Sequence, residues 1–436
     1  IFAPIMDDGT LHIYTYRRTP ATDYITGHIA ANIIGCRYTI TDNPAEAQKA
    51  DICYSPTRIG DGLHIHPSGL LEKPEAYDIG HIPVGMWQGL PTLLHDGIGD
   101  TGFDLFAAAF FCLSRMEEIG AGTLDRHGRY KPDASILSRL GIIGRPIVDE
   151  WCARLGEMLS RERHIHLAPR KEAQRIVTID VDHAFKYRHK GLLRTLLGTA
   201  RDIVHGDKAQ LRERISVMTG AGRDPYFCFD YITQALSGDR PDTRIFIHAG
   251  PMGRYDRKSH HNREFDAAVK ALSADFTIGI HPSYHASFDV KAVRHEIDRL
   301  RRLTGSDVTS CRMHYLRLRI PDTYRMLDSL GITDDYTMAY SGATGFRAGT
   351  AIPYRFFDIN AGRTLGITVH TTCAMDVTMK NTLGLTPSQA IGHLSGLYDR
   401  VKDTGGEFIT LIHNSSLGED TEWQGWREVM DWLTRH

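Results

Sequence analysis

The sequence predicts an α/β protein in two parts, a small α/β domain over residues 1–165 and a barrel of parallel strands over 172–436. Three observations predict it. Strand and helix signals alternate from the start of the chain to about residue 165. From Arg175 onward the pattern becomes short apolar strands separated by longer helical segments. Several of those strands run straight into polar side chains, at Asp180, His248, His281, Arg312 and His413, as parallel barrel strands do at their C-terminal face.

Leu11 to Tyr16 alternates as a strand does. Asp23 to Ile34 fits an amphipathic helix capped by Asp23 and stopped by Gly35. Tyr38–Thr41 and Asp51–Tyr54 read as short strands, and Gly62–Gly69 as a strand entering a turn. His64 and His66 share one face of that strand. No third ligand candidate lies near them, so an exposed strand face is the simpler reading than a metal site. Asp104 to Ile119 predicts a strong helix, with Gly120 beyond its end and a solvated Arg115, Glu117 and Glu118 at its last turn. Asp125–Arg129 reads as a turn. Ser160 to Lys171, charged and carrying Pro169, reads as the linker.

In the second part the predicted strands are Ile176–Asp180, Arg244–His248, Phe276–Ile280, Val308–Cys311, Ile332–Asp334, Leu365–Thr371 and Phe408–Ile412. Helices are predicted over Phe265–Ser273, Val290–Thr304, Asp322–Leu330, Pro387–Thr404 and Trp423–His436.

Composition narrows the function classes. Hydrophobic residues are 42% and charged residues 24% of 436, as in an ordinary globular protein. A net charge of -2, with Lys and Arg spread along the chain, argues against a nucleic-acid or membrane-surface partner. No apolar run reaches the length of a membrane span. Seven cysteines at scattered spacings give neither a disulfide framework nor a CxxC metal site. Ile1 to Asp8 shows no secretion signal, although Ile1 is not an initiator Met, and a reducing cytoplasm is the simplest compartment.

Four short motifs carry the chemistry. Thr178-Ile-Asp-Val-Asp182 places two acids at i and i+2, where an extended backbone points them to one face. Such a pair at the end of a buried strand needs a metal, an Arg or a polar cleft to offset its charge, or else it is a solvated strand end. His281-Pro-Ser-Tyr-His285 follows another strand and can aim two imidazoles at one ion; two His and a carboxylate form a common hydrolase set. Arg312 in Cys311-Arg-Met-His-Tyr315 either holds a catalytic carboxylate ionised or makes a structural salt bridge. Arg317 and Arg319 read as packing or surface pairs. Thr410-Leu-Ile-His413 brings a histidine to the same rim, unless that ring is a satisfied core group. Gly345-Phe-Arg-Ala-Gly349 is a Gly-flanked turn that either presents Arg347 to substrate or is structural.

In this order the motifs resemble those of the polysaccharide deacetylases, carbohydrate esterase family 4 with its NodB-homology domain, over roughly residues 172–436. The resemblance implies a distorted (β/α) barrel and metal-dependent removal of acetyl groups from N-acetylated sugars. It implies Asp180 as base, and Asp182, His281 and His285 as ligands of a divalent metal, zinc first. The family usually has the two acids adjacent; Val181 separates them here, which leaves their roles open to exchange. Arg312 matches the partner of the base, the Tyr315 N–H one side of an oxyanion hole, with His314 in place of a usual Pro, and His413 the general acid. The acid that would orient His413 has two candidates, Asp335 and Asp376. The stretch Phe106–Glu118 resembles the uncharacterised domain that precedes some bacterial members, which implies no activity for it. An acetylated carbohydrate is the implied substrate. The alternatives are a non-catalytic carbohydrate-binding or scaffold protein, and a metal-dependent hydrolase of a non-sugar amide.

Overall fold

A computed structural model describes residues 9–120, 122–165, 167, 172–237, 243–256 and 262–435. It is a mixed α/β structure built on parallel sheets. The first sheet has four parallel strands, β1 (Thr10–Thr15), β2 (Arg37–Thr41), β3 (Ile52–Tyr54) and β4 (Leu63–Ile65), in the order β2-β1-β3-β4. An antiparallel pair follows, β5 (Val84–Trp87) and β6 (Leu90–Leu93), which the sequence reading missed.

The second sheet contains β7 (Gln174–Val181), β8 (Arg244–Ile247), β9 (Thr277–Ile280), β10 (Ser310–Cys311), β11 (Asp334–Asp335), β12 (Tyr354–Asp358), β13 (Arg363–Val369), β14 (Thr372–Met375) and β15 (Glu407–His413). Their order is β12-β13-β11-β10-β9-β8-β7-β15-β14, all parallel except the antiparallel β12. All seven predicted strands of this part are present, within three residues at each end. Two more, β12 and β14, form the edges, and the pairing does not close from β14 back to β12.

Helices Val290–Thr304 and Pro387–Thr404 lie where predicted, each stopped by a glycine and N-capped by Asp289 and Thr386. The expected helix from Asp23 begins earlier, at Pro20. Thr19, not Asp23, caps it by accepting the Thr22 N–H, while Asp23 pairs with Arg18. A proline at the first helical position fixes that start. After Gly27 the helix widens into a π turn over His28–Ile34. The expected linker is partly helical too, since helix Ile147–Arg163 runs through Ser160; residues 166 and 168–171 of that stretch lie outside the described residues. The C-terminal helix is shorter than predicted, Arg427–Arg435.

The helix predicted over Asp104–Ile119 stops at Leu113, because Arg115 takes a left-handed backbone (φ 53°) and turns its side chain inward. Arg115, Glu117 and Glu118 are therefore no solvated face. Arg115 is buried and pairs with both acids, and Glu118 in turn binds Arg347. Arg347 also donates to the Ala339 carbonyl (2.8 Å), so it is spent on structure, between residues of the first part and the second. His64 does not face water either; it is buried and lies 2.8 Å from the Ser55 carbonyl. The seven cysteines are free and buried.

One buried cation ties the second sheet together. His370 lies between Glu407 (2.7 Å) and Asp334 (3.0 Å) and stacks on Tyr336. Burial opposes its charge, but the hydrogen bonds to the two carboxylates outweigh burial and raise its pKa to about 9. A raised folded pKa adds stability that is full below the unfolded value near 6.5 and is lost as pH rises through 9, roughly 2–4 kcal/mol in all. Urea midpoints of the wild type and His370→Gln should therefore differ most near pH 6 and converge toward pH 10. Parallel profiles over that range would remove His370 as a charged tie.

Candidate active site

The backbone ladder carries one residue past the end of each central strand. The His248 N–H bonds the Val181 carbonyl, His281 bonds Ile247, and Arg312 bonds Ile280, at 3.0–3.2 Å. In register His413 lies beside Asp180. The side chains after β7, β8, β9, β10 and β15 therefore gather at the C-terminal edge of the sheet. A cavity of about 440 Å³ opens there, lined by Asp180, Asp182, His281, His314, Tyr315 and His413, with Arg129 reaching it from the first part of the chain.

Asp180 and Asp182 both line this cavity, while Val181 between them is fully buried in the core and does not. The i, i+2 spacing thus does what the pleat requires. The two acids meet different partners. Asp180 Oδ1 accepts from Arg312 Nη1 at 2.8 Å. Arg312 is itself fully buried and held by the Tyr336 carbonyl (3.1 Å) and Thr372 Oγ1 (3.0 Å), with its guanidinium over the Phe246 ring. A buried guanidinium this well held is a fixed positive charge. Asp182 Oδ1 lies 3.2 Å from His281 Nε2 and 3.7 Å from His314 Nε2. Burial works against its charge, but His314, His281 and His413 together hold the carboxyl well below the usual range.

Asp182, His281 and His314 form a group whose ligand atoms lie within 4.8 Å of one another. These are residues that could hold a metal ion, and the donor chemistry fits one. His281 Nδ1 is 2.6 Å from the Arg312 carbonyl, which can only accept, so this nitrogen carries the proton and Nε2 keeps its lone pair toward Asp182. His314 Nδ1 lies 2.9 Å from Asp256, which fixes its ring in the same sense. Among the described residues none donates a hydrogen bond to the buried Asp182 Oδ1. Tetrahedral ligands about 2.0–2.2 Å from an ion stand roughly 3.3–3.6 Å apart, close to the separations from Asp182. His314 also belongs to a second group, with His248 and Asp256. Neither of those two residues lines the cavity, and Asp256 already accepts from the Tyr284 N–H (2.7 Å).

The structure does not bring His285 to this group. Its side chain is exposed and packs on Gly253, where a Cβ would sit 2.3 Å from the ring. Of the two expected histidines, His281 meets Asp182 and His285 does not; His314 occupies the third corner. Its signal in the sequence was its place two residues past Arg312 at a strand end. Asp256, in the loop after His248, gave no such signal.

His413 Nδ1 is 2.8 Å from Asp376 Oδ1, and the same carboxylate accepts the His413 N–H through Oδ2 at 2.7 Å. Asp376 is thus the acid that orients this ring. Asp335 is engaged elsewhere, by Thr337 and Tyr324. The far nitrogen of His413 looks into the cavity, 3.9 Å from Asp182 Oδ2. Burial disfavours the imidazolium, but Asp376 first and then Asp182 and Asp180 raise its pKa to about 10.

Tyr315 and Leu316 both have left-handed backbones (φ 62° and 55°), a conformation costly for such side chains unless the surroundings impose it. The first part of the chain does so. Its Asp125–Arg129 turn, formed as expected, sends Arg129 Nη1 to the Tyr315 carbonyl (3.1 Å), and the His127 ring lies 4.9 Å from that of Tyr315. Arg317 clamps the turn from the other side through the His127 carbonyl (2.9 Å) while its guanidinium lies over Tyr284, a packing role.

Residues 11–164 match the model of a family of unknown function, DUF7033. No curated protein matches the chain. Solved structures that resemble it include one described as a polysaccharide deacetylase from Mycobacterium smegmatis, 14% identical at a TM-score of 0.39, covering 62% of this chain and 85% of that one. Another is Puue allantoinase, 14% identical at a TM-score of 0.37, covering 60% of this chain and 85% of that one.

Proposed function

We propose that this chain is a metal-dependent hydrolase of amide bonds that removes acetyl groups from N-acetylated sugars. One observation carries the reading. An Arg-held carboxylate, a carboxylate with two histidines, and an Asp-oriented histidine all face a single cavity of about 440 Å³. Those are the parts that acyl transfer to water requires: a base, an electrophilic centre and a proton donor. The sugar, rather than another amide, is what the resemblance of the four motifs implies. The tyrosines that line the cavity, Tyr255 and Tyr315, suit the flat faces of a saccharide.

Asp182, His281 and His314 would hold the ion, zinc first by its preference for such ligands. A divalent ion there would polarise the acetyl carbonyl and acidify a water. Asp180 takes the water proton, with Arg312 fixing the carboxylate's position and offsetting its charge. The Tyr315 backbone, held left-handed at the cavity wall, is the proposed donor to the oxyanion. His413, protonated and oriented by Asp376, gives its proton to the departing nitrogen. The separation of the two acids by Val181 does not weaken this division of roles, since both still face the cavity.

The test is acetate release from a panel of N-acetylated mono- and oligosaccharides, before and after chelation and after metal is restored. Release that chelation abolishes and metal restores is the expected result. Cleavage confined to non-sugar amides would move the substrate class. A metal-loaded protein that binds saccharides but turns over nothing on the panel would make it a binding protein.

A further inference from the structure

Helix Leu192–Val204 is built inside out. Its acid, Asp202, faces inward at 3% exposure and pairs with the buried Arg214 of the next helix, Lys208–Met218, at 2.7 Å. That guanidinium passes over Gly198, where a Cβ would sit 2.8 Å from it. The glycine therefore permits the close approach that seats the ion pair between the helices. Leu192, Leu193, Leu196, Leu197, Ile203 and Val204 face the other way and are 57–81% exposed. At 3.6 residues per turn these six side chains occupy one arc of about 140°. Ile215 and Met218 add exposed apolar surface on the second helix. Among the described residues nothing covers this face. A protein rarely leaves so contiguous an apolar patch in water without a partner for it.

Charge identifies the partner. The whole chain's net charge of -2 argues against a membrane-surface partner, but the cations are not evenly spread: from Lys186 to Arg223 there are nine Lys or Arg and three Asp or Glu. Asp202 pairs with Arg214 and Glu213 with Lys186, while Arg188 and Arg223 pair with Glu264 and Asp230. Arg194 and Arg201 are exposed and border the apolar arc, and Lys208 and Arg212 are exposed on the second helix. An apolar stripe edged by cations is the pattern of a helix lying in a membrane interface. The cations line one edge of this stripe, Arg194 and Arg201, and the other edge carries Thr195 and Thr199.

We infer that the helical pair Leu192–Met218 docks on an anionic lipid surface, with its leucines at the acyl boundary and Arg194 and Arg201 at the phosphates. The inference does not rest on the proposed activity. It does bear on where that activity occurs. His183 lines both the catalytic cavity and the basic cavity of about 550 Å³ that also includes Arg194, Arg201 and Arg214. The docked face therefore adjoins the site.

Co-sedimentation of the full chain with phosphatidylcholine vesicles, with and without phosphatidylglycerol, tests it. The expected result is partition onto the anionic vesicles that weakens as salt rises. Leu193→Gln/Leu197→Gln, at exposed positions that the fold does not need, should cut this partition by roughly tenfold or more. Arg194→Gln/Arg201→Gln should erase the preference for anionic lipid. Both variants should keep the wild-type circular dichroism and melting temperature. Equal binding to both vesicle types, or binding to neither, would overturn the inference. So would a concentration-dependent dimer, by light scattering, that the leucine variant disperses; that result would give the face to a second copy of the chain.

Discussion

His314→Ala is expected to lose its metal, and His285→Ala to keep it. The two substitutions remove the same kind of side chain, yet their surroundings differ. His314 lies buried between Asp182 and Asp256, with Nε2 3.7 Å from Asp182 and Nδ1 fixed by Asp256 at 2.9 Å. His285 is exposed on the flank of Gly253 and touches none of these groups. Removing one of three protein ligands leaves too few to retain a labile ion, and the ion's contribution to the transition state is several kcal/mol. Turnover should therefore fall on the order of 10³-fold or more in His314→Ala and in His281→Ala. Asp256→Asn keeps all three ligands but loosens the His314 ring, so its metal affinity should drop by roughly 10–100-fold. Metal stoichiometry by elemental analysis reads the first effect, and titration of the apoprotein reads the second. A His285→Ala protein stripped of metal beside a fully loaded His314→Ala protein would return the site to the His281/His285 pair that the sequence suggested.

That contrast shows what the sequence made legible. Strand ends were easy to read because apolar runs such as Ile176–Ile179 and Phe408–Ile412 stop at charged or imidazole side chains, and the structure puts those side chains on one rim. The i, i+2 acids were legible because strand pleating is local geometry. The third corner of the candidate metal group was not. An His-x-x-x-His pair looks like a unit in one dimension, but Pro282 and the 3₁₀ turn Ala286–Phe288 aim its second member outward. The residue that replaces it lies a whole helix and strand later in the chain. Asp376 was one of two candidates for orienting His413, and nothing short of the β14–β15 pairing separates it from Asp335. The N-terminal errors have a different origin. Arg115, Glu117 and Glu118 carry charges that look solvated, yet Arg347, more than two hundred residues away, lets them be buried as a network. The helix Leu192–Val204 is the converse. Its leucines, absent from the predicted helices, face outward because the Asp202–Arg214 pair decides which face turns inward.

His413→Ala should bind metal as the wild type does and yet lose most of its turnover on an N-acetyl sugar. An amine leaves poorly as an anion, so amide cleavage needs a proton delivered to nitrogen as the carbon–nitrogen bond breaks. The Asp376 carboxylate binds both the ring and the backbone N–H of His413, which fixes the ring's direction as well as favouring its charged form. With the pKa raised to about 10, the ring holds its proton throughout the neutral range. General acid catalysis of this kind contributes about 10²–10⁴-fold, and the loss in His413→Ala should fall in that range. An activated aryl acetate is the control, because its phenolate departs without protonation; on that substrate the variant should lose far less. Asp376→Asn should show the same selectivity in weaker form. It removes the negative charge that favours the imidazolium, so its turnover on the amide should begin to fall at lower pH than the wild type's as the ring deprotonates earlier. Equal losses of His413→Ala on amide and aryl ester would exclude leaving-group protonation, and a loss of metal in that variant would make His413 a fourth ligand instead.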